Sequence, residues 1–155
     1  MMALFIVRHG KSPMQNNDHA RPLSIIGTQQ AQLAGQFIAK STAHKPMIIC
    51  SDAARTKQTA ECIAGVLKVT DIQPEATYYG ANVGHWCDAI IQNNQQKALV
   101  LVGHNPTITQ LSHYLSQDSR FMFKPACVTH LQLEINADGL ILPAQLLATF
   151  KPETQ

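Results

Sequence analysis

Short runs of apolar residues alternate along this chain with longer segments in which apolar side chains recur every three or four positions. Residues 3–7 and 98–102 are uninterrupted runs rich in Val, Ile and Leu, as expected of strands buried on both faces of a parallel sheet. Residues 47–50 form a third, shorter run. Residues 24–40 and 51–68 follow the helical period, and each begins with residues suited to a helix N-cap: Ser24 in the first, Ser51 and Asp52 in the second.

The second half of the chain continues this alternation and then departs from it. The period predicts a helix over residues 83–91 and another that begins near Pro106. Residues 128–135 and 144–150 follow as strands joined by a turn, so we expect the last strand at an antiparallel edge. Only the secondary structure of residues 69–81 is ambiguous. The first four residues could form a short strand, and the apolar residues of the remainder follow no regular spacing.

This order of elements predicts an α/β fold, a three-layer α/β/α sandwich whose central sheet is mostly parallel with an antiparallel edge strand. We expect residues 1–155 to form a single domain, because 155 residues can bury one sizeable core and no linker or repeat interrupts them. The four cysteines lie far apart without C-x-x-C spacing, so we expect reduced core thiols.

The composition narrows the choice of partners. Apolar residues make up 45% and charged residues 14% of the chain, and the net charge of +2 is not concentrated in any block. Nucleic acid and anionic membranes are therefore not expected as electrostatic partners. No apolar run approaches the roughly 18 residues of a membrane span, and the first is shorter than a signal-peptide core of about 7–15 residues. We expect a cytoplasmic monomer.

Arginine and histidine side chains follow three of the predicted strands. Arg8, His9 and Gly10 come directly after the first strand, Arg55 follows the second closely, and His104 comes after residues 98–102. Because the carboxyl ends of parallel strands meet at one edge of a sheet, two guanidiniums and two imidazoles can converge there. Taken alone, the first stretch has an alternative explanation, that Arg8 and His9 merely end a strand. Arg55 and His104 favour a site.

This combination indicates a phosphate pocket. Arginine presents a rigid fork of donors that matches phosphate oxygens, and neighbouring cations favour a neutral His9 whose lone pair could attack phosphorus. Arg8, Arg55 and His104 could then stabilise the equatorial oxygens. We expect protonation of His9 to lower the activity in acid, and this fall should begin above about pH 5. The chain has no Walker-type loop and no metal-ligand spacing, so we predict no cofactor and no metal.

Four motifs, in this order, resemble the histidine phosphatase superfamily: Arg8-His9-Gly10, Arg21-Pro22-Leu23-Ser24-x-x-Gly27, Ser51-x-x-x-Arg55-x-x-Gln58-Thr59 and Gly103-His104-Asn105-Pro106. The small size and the Arg-Pro-Leu segment are most similar to its SixA-type phosphohistidine phosphatases. The resemblance implies a phosphoglycerate mutase-like fold, with His9 as the phosphorylated nucleophile, Arg8 and Arg55 as phosphate ligands, and His104 as the second pocket histidine.

Four further residues are candidates for substrate binding. The resemblance suggests Arg21, and Gly10 would let the backbone approach a bound group closely. Ser51 is foremost a helix cap that could also contact phosphate, and Asn105 flanks the second histidine. The histidines outside the motifs are expected to be solvated or structural, with the fifth on the surface of a half-buried strand: His19, His44, His85, His113 and His130.

A departure from the superfamily pattern concerns the general acid. Many members place a Glu or Asp in the loop that corresponds to about residues 75–88, where this chain has only Glu75, slightly early, and Asp88, on a predicted helix. We interpret the acid as absent. A positioned acid contributes about 10²–10⁴-fold, so an enzyme without one should act on a labile bond such as the P–N bond of phosphohistidine.

We therefore predict a phosphatase that hydrolyses phosphohistidine on a partner protein, such as a phosphotransfer domain, through a covalent intermediate on His9, with phosphate as product. One alternative is a small-molecule phosphomonoesterase or mutase of the same superfamily. Another is a phosphate-binding module without turnover.

Overall fold

Six strands form one sheet in the computed structural model, which describes residues 1–153. The strands are β1 Met2–Arg8, β2 Met47–Ser51, β3 Ile72–Glu75, β4 Ala98–Gly103, β5 Val128–Asn136 and β6 Gly139–Phe150. The helices are α1 Ile25–Ser41, α2 Ala54–Leu67, α3 Val83–Gln92 and α4 Thr107–Ser116, with a 3₁₀ turn at Ala76–Tyr78. Across the sheet the order is β3-β2-β4-β1-β5-β6, parallel from β3 to β1 and antiparallel from β1 to β6.

Successive residues of the central strands point to opposite faces, and each face is covered by helices. Leu4 and Ile6 of β1 belong to the apolar cluster that includes side chains of α3 and α4, whereas Phe5 and Val7 belong to the cluster that includes side chains of α1 and α2. Burial on both faces explains why this strand is an uninterrupted apolar run. The predicted α/β/α sandwich with its mostly parallel sheet is confirmed.

The sheet register brings three strand ends together. Arg8 at the end of β1 lies opposite Gly103 at the end of β4, and Cys50 of β2 lies opposite Val102. The backbone N–H of His9 donates to the Gly103 carbonyl at 3.1 Å. The residues that follow β1 and β4, and the last residue of β2, therefore share one edge, as predicted.

Two strands differ in extent from the prediction. In the ambiguous segment the strand lies at Ile72–Glu75 rather than 69–72, because Lys68 ends α2 in the left-handed conformation and Ile72 is the first residue to pair with β2. The last strand begins at Gly139 rather than residue 144, because a tight turn places Gly139 directly opposite Asn136 and the pairing starts there.

Two local predictions were wrong. Helix α2 is not capped by Ser51 or Asp52: the N-cap is Ala53, which has no side-chain cap, since Ser51 still belongs to β2. His130 is not a surface residue: it is 8% exposed and stacks on Phe5 with ring centroids 4.4 Å apart. The reason is that Phe5 of β1 lies directly opposite His130 in the sheet and its ring covers that of the histidine.

The cysteines are all free thiols, of which Cys50 and Cys127 are buried as expected and Cys62 and Cys87 only partly so. Within residues 1–153, no helix combines the length and the apolar character that a membrane crossing requires.

Candidate active site

His9 lies at the end of β1 with only 9% of its surface exposed. Its Nδ1 lies 2.7 Å from the carbonyl oxygen of Gly10, and because a carbonyl only accepts, Nδ1 carries the proton. Nε2 is left with its lone pair. The pKa of His9 is lowered to about 4, chiefly by burial and also by the nearby Arg55 and Arg8, against the opposing hydrogen bond to Gly10. His9 is therefore a neutral imidazole with a bare nitrogen, as a nucleophile requires.

His104 follows β4 and faces His9, with ring centroids 5.4 Å apart and the planes tilted by 58°. Its Nε2 lies 2.8 Å from the hydroxyl oxygen of Ser51. Burial lowers the pKa of His104 to about 3, with His9 and Arg55 contributing in the same direction. Its Nδ1 is buried and has no hydrogen-bond partner within residues 1–153.

The two arginines are held by their terminal nitrogens. Arg8 Nη1 donates to the carbonyl of Phe123 at 3.0 Å. Arg55, in the first turn of α2, donates from Nη1 to the Asp18 carbonyl at 2.8 Å and from Nη2 to the Asp18 carboxylate at 3.2 Å. In both arginines Nε is buried without a partner in the described chain. Three of the four predicted catalytic residues thus each present one unpaired buried nitrogen.

Asp18 was missed by the sequence analysis. Its carboxylate accepts hydrogen bonds from Arg21 at 2.9 Å, from Arg55 and from the Tyr79 hydroxyl. The bonds from Tyr79, Arg21 and Arg55, in that order, hold the pKa of Asp18 well below its ordinary value, so it is ionised. The only signal in the sequence was an aspartate three residues before Arg21 in a polar loop, which resembles many surface ion pairs.

Arg21 holds the loop of residues 11–23 together. Besides Asp18, its guanidinium donates from Nε to the Pro13 carbonyl at 3.0 Å and from Nη2 to the Ser12 carbonyl at 3.2 Å. All three nitrogens of Arg21 are therefore bound by the protein itself. Its contact with the pocket is indirect, through the carboxylate that it shares with Arg55.

The other candidates for substrate binding also have protein partners. Gly10 packs on α1: a Cβ there would lie 2.5 Å from the Gly27 carbonyl oxygen, which backbone atoms cannot accommodate. Ser51 is fully buried and bonds to His104. Asn105 donates to the Phe123 carbonyl at 2.9 Å, and its amide oxygen accepts from the Thr109 hydroxyl at 2.8 Å. These residues position the pocket.

Glu75 and Asp88 make no hydrogen bond or ion pair with the four predicted catalytic residues within residues 1–153, although Glu75 lies opposite Ser51 in the sheet. Both line a cleft with Tyr78 and His85, and none of the four predicted catalytic residues lines that cleft. Asp18 instead supplies a carboxylate that binds one of the predicted catalytic residues, Arg55. Among residues 1–153, no three His, Cys, Asp or Glu side chains are grouped so as to hold a metal ion.

Comparison with known proteins agrees with this geometry. Residues 4–87 match the profile of the histidine phosphatase superfamily, branch 1. The chain belongs to the histidine phosphatase superfamily. An uncharacterized protein of Mycobacterium tuberculosis is 32% identical to this histidine phosphatase superfamily member over 120 residues, which cover 73% of the present chain and 72% of the relative.

Solved structures of proteins named SixA share the fold of this superfamily member. A candidate phosphohistidine phosphatase SixA from Nakamurella multipartitia superimposes with a TM-score of 0.84 at 23% identity, over 99% of this chain and 97% of that one. The protein histidine phosphatase SixA complexed with tungstate gives 0.81 at 18% identity, over 96% of each chain. The predicted phosphoglycerate mutase-like fold is confirmed.

Proposed function

We propose that this protein is a phosphohistidine phosphatase, which removes the phosphoryl group from a histidine of a partner protein through a phosphohistidine intermediate on His9. The lone pair of His9 Nε2 attacks phosphorus while the P–N bond of the substrate breaks. The leaving nitrogen keeps the bonding pair and is protonated by solvent. Water then attacks the phosphorus on His9, which regains its lone pair as phosphate is released.

The observation that carries this proposal is the set of three unpaired buried nitrogens, Nε of Arg8, Nε of Arg55 and Nδ1 of His104. A buried polar atom without a partner is costly, so three such atoms within one group of motif residues indicate a functional site. All three belong to the residues that the sequence motifs group with His9. A phosphoryl group in transfer has three equatorial oxygens, and three donors can stabilise their charge.

The surrounding carboxylates support a substrate with an easily displaced leaving group. Asp18 is ionised and holds Arg55, so it has no proton to give to a departing oxygen. Glu75 and Asp88 line a cleft that is lined by none of the four predicted catalytic residues. An alkoxide leaving group needs a positioned acid far more than an imidazole does, because an imidazole ring with a proton on its other nitrogen departs as a neutral molecule, whereas an ester oxygen departs as an anion unless it receives a proton. Phosphohistidine fits this pocket better than a phosphomonoester does.

The test compares two substrate classes with one preparation of the protein. A purified histidine-phosphorylated phosphotransfer domain and a set of small phosphomonoesters are incubated separately with the protein, and phosphate release is followed. We expect rapid loss of phosphohistidine, slow hydrolysis of the esters, and no phosphohistidine loss with His9→Ala. Stable phosphohistidine, or full activity of His9→Ala, would contradict the proposal.

The two alternatives give different results in the same assay. Preference for esters, together with a large loss of turnover in Glu75→Gln or Asp88→Asn, would indicate a small-molecule phosphomonoesterase or mutase. Binding of the phosphorylated domain without phosphate release or a trapped phosphoenzyme would indicate a phosphate-binding module.

A further inference from the structure

We propose that Tyr79 is a positioning residue: its hydroxyl holds the Asp18 carboxylate against the Arg55 guanidinium and thereby keeps Arg55 oriented to bind an oxyanion. This inference rests on the proposed function for its effect on turnover, whereas the affinity for an unreactive oxyanion is a property of the free protein. It assigns a part in the site to a residue that follows a fourth strand, β3, and lies outside the four sequence motifs.

Tyr79 reaches the site because β3 pairs with β2 at the edge of the sheet that carries the pocket. Glu75, the last residue of β3, lies opposite Ser51, the last residue of β2. Arg55 and Tyr79 each lie four positions further along the chain, Arg55 in the first turn of α2 and Tyr79 directly after the 3₁₀ turn. Neighbouring parallel strands thus carry both side chains to the same edge.

The ring of Tyr79 is held by two histidines. Its centroid lies 4.9 Å from that of His19 and 5.6 Å from that of His104. The angles between the ring planes are 79° and 82°, which is the favourable edge-to-face arrangement of aromatic pairs. These two contacts restrict the movement of a side chain that is 38% exposed, so its hydroxyl stays directed at Asp18.

The hydrogen bond between Tyr79 and Asp18 has only one possible direction. Asp18 is ionised, so its carboxylate can only accept, and the phenol donates. The same oxygen, Oδ2, accepts from Nη2 of Arg55 at 3.2 Å, while Oδ1 accepts from Arg21 at 2.9 Å. Because Arg21 lies in the same loop as Asp18, it is Tyr79 that connects this carboxylate to the end of β3.

Both hydrogen-bonded nitrogens of Arg55 depend on Asp18. Nη1 donates to the Asp18 carbonyl at 2.8 Å and Nη2 donates to the carboxylate, whereas the buried Nε has no partner within residues 1–153. A displacement of Asp18 would therefore change the orientation of the guanidinium. Binding of an oxyanion by this planar group depends on that orientation. Removal of the Tyr79 hydroxyl should thus weaken the site although every predicted phosphate ligand is still present.

The test measures the affinity of the free protein for tungstate, the oxyanion with which one SixA structure is complexed. Calorimetric titration compares the native protein, Tyr79→Phe, Asp18→Ala and the double variant. Tyr79→Phe keeps the ring and its histidine contacts, and we expect it to weaken tungstate binding about 2–5-fold. In the Asp18→Ala background the same change should have no further effect, because the hydroxyl acts through the carboxylate.

Two further measurements distinguish positioning from a general loss of structure. The ¹H–¹⁵N signal of Arg55 Nε is assigned by its loss in Arg55→Lys, and we expect it to shift or broaden in Tyr79→Phe. The rate of phosphoenzyme formation should fall by about 2–5-fold as well. Tyr114→Phe is the matched control: it removes the hydroxyl of another exposed tyrosine, on α4, and should behave like the native protein in all these measurements.

A native tungstate affinity, a native Arg55 signal or a native rate in Tyr79→Phe would overturn the inference. Equal losses of affinity with and without the Asp18 carboxylate, a similar loss in Tyr114→Phe, or no tungstate binding by the native protein would also overturn it. If tungstate binding depends on Tyr79 and Asp18 as expected but the native protein releases no phosphate from any phosphohistidine substrate, the proposed function fails and the positioning of Arg55 stands.

Discussion

The ends of β1 and β4 each supply one pocket histidine, and they orient the two rings in opposite ways. His9 is anchored through Nδ1 on a backbone carbonyl, which leaves Nε2 bare. His104 is anchored through Nε2 on the hydroxyl of Ser51, and its buried Nδ1 has no partner within residues 1–153. Both rings are neutral, since the pKa of His9 is lowered to about 4 and that of His104 to about 3.

The difference lies in the chemistry of the two anchors. A carbonyl can only accept, so it fixes a proton on the anchored nitrogen and exposes a lone pair. A hydroxyl can donate or accept, so the Ser51 contact is compatible with a proton on either ring nitrogen of His104. In the reaction that we propose, these identical side chains at neighbouring strand ends take different roles, His9 as nucleophile and His104 as hydrogen-bond donor to the phosphoryl oxygens.

The substitution expected to have the largest effect on activity is His9→Ala. It removes the lone pair that attacks phosphorus, so we expect phosphohydrolysis to fall on the order of 10³-fold or more and no phosphoenzyme to form. Rapid-quench trapping with radiolabelled phosphoryl donor measures both effects. His44→Ala, which changes an exposed histidine, is the control and should behave like the native protein. A labelled phosphoenzyme in His9→Ala would place the nucleophile elsewhere.

His104→Ala should have a smaller effect of a different kind. It removes a donor to the phosphoryl oxygens but leaves the nucleophile, so we expect phosphoenzyme formation to slow by about 10²-fold and still reach completion. Single-turnover kinetics separate the rate from the final amount. Equal losses in the two histidine variants would show that the roles of the two rings are not distinct.

The pH dependence of activity tests whether His9 is as neutral as its surroundings indicate. With a pKa of about 4, His9 keeps its lone pair at pH 5 and becomes a non-nucleophilic imidazolium only below about pH 4. Single-turnover rates should therefore be level from pH 7 to pH 5 and fall below that range. This corrects the expectation from sequence, which placed the fall already above pH 5. A fall centred near pH 6.5 would mean that burial does not shift this group.

The same two histidines should make the fold less stable in acid. Their pKa values are lower in the folded protein than the ordinary 6.5, so the unfolded chain binds protons first as pH falls below that value. Each histidine should remove on the order of 1–2 kcal/mol from the free energy of unfolding between pH 7 and pH 5. Guanidinium unfolding at both pH values measures this loss, which should be smaller in His9→Ala.

The smallest effect is expected for Asp18→Asn, which weakens the contact with Arg55 without changing either histidine. The Asp18 side chain is 51% exposed, and exposed ion pairs contribute about 0–1 kcal/mol, so the loss of stability should stay in this range. Because Arg55 is held less firmly, we expect the rate of phosphoenzyme formation to fall a few-fold. Asp118→Asn breaks a comparable pair with Arg120 and should leave the rate unchanged. A loss of 100-fold would give Asp18 a direct part in the reaction.

The sequence predicted the strand ends well because backbone topology alone brings them together. Apolar runs located β1 and β4, and the rule that parallel strands end at one edge placed His9, Arg55 and His104 on it. Local signals failed where contacts distant in sequence decide the outcome. The burial of His130 depends on Phe5 of the neighbouring strand β1, and the partner of Ser51 lies 53 residues away. Neither fact is visible in a window of neighbouring residues.

One turn of α2 connects the His9 segment to Arg55. The hydroxyl of Thr59 accepts from the backbone N–H of Gly10 at 3.0 Å and donates to the Arg55 carbonyl at 2.8 Å. The segment that carries His9 is therefore tied to the first turn of α2, which carries Arg55. In the reaction that we propose, this link orients the attacking nitrogen relative to the guanidinium, which is the alignment that phosphoryl transfer needs.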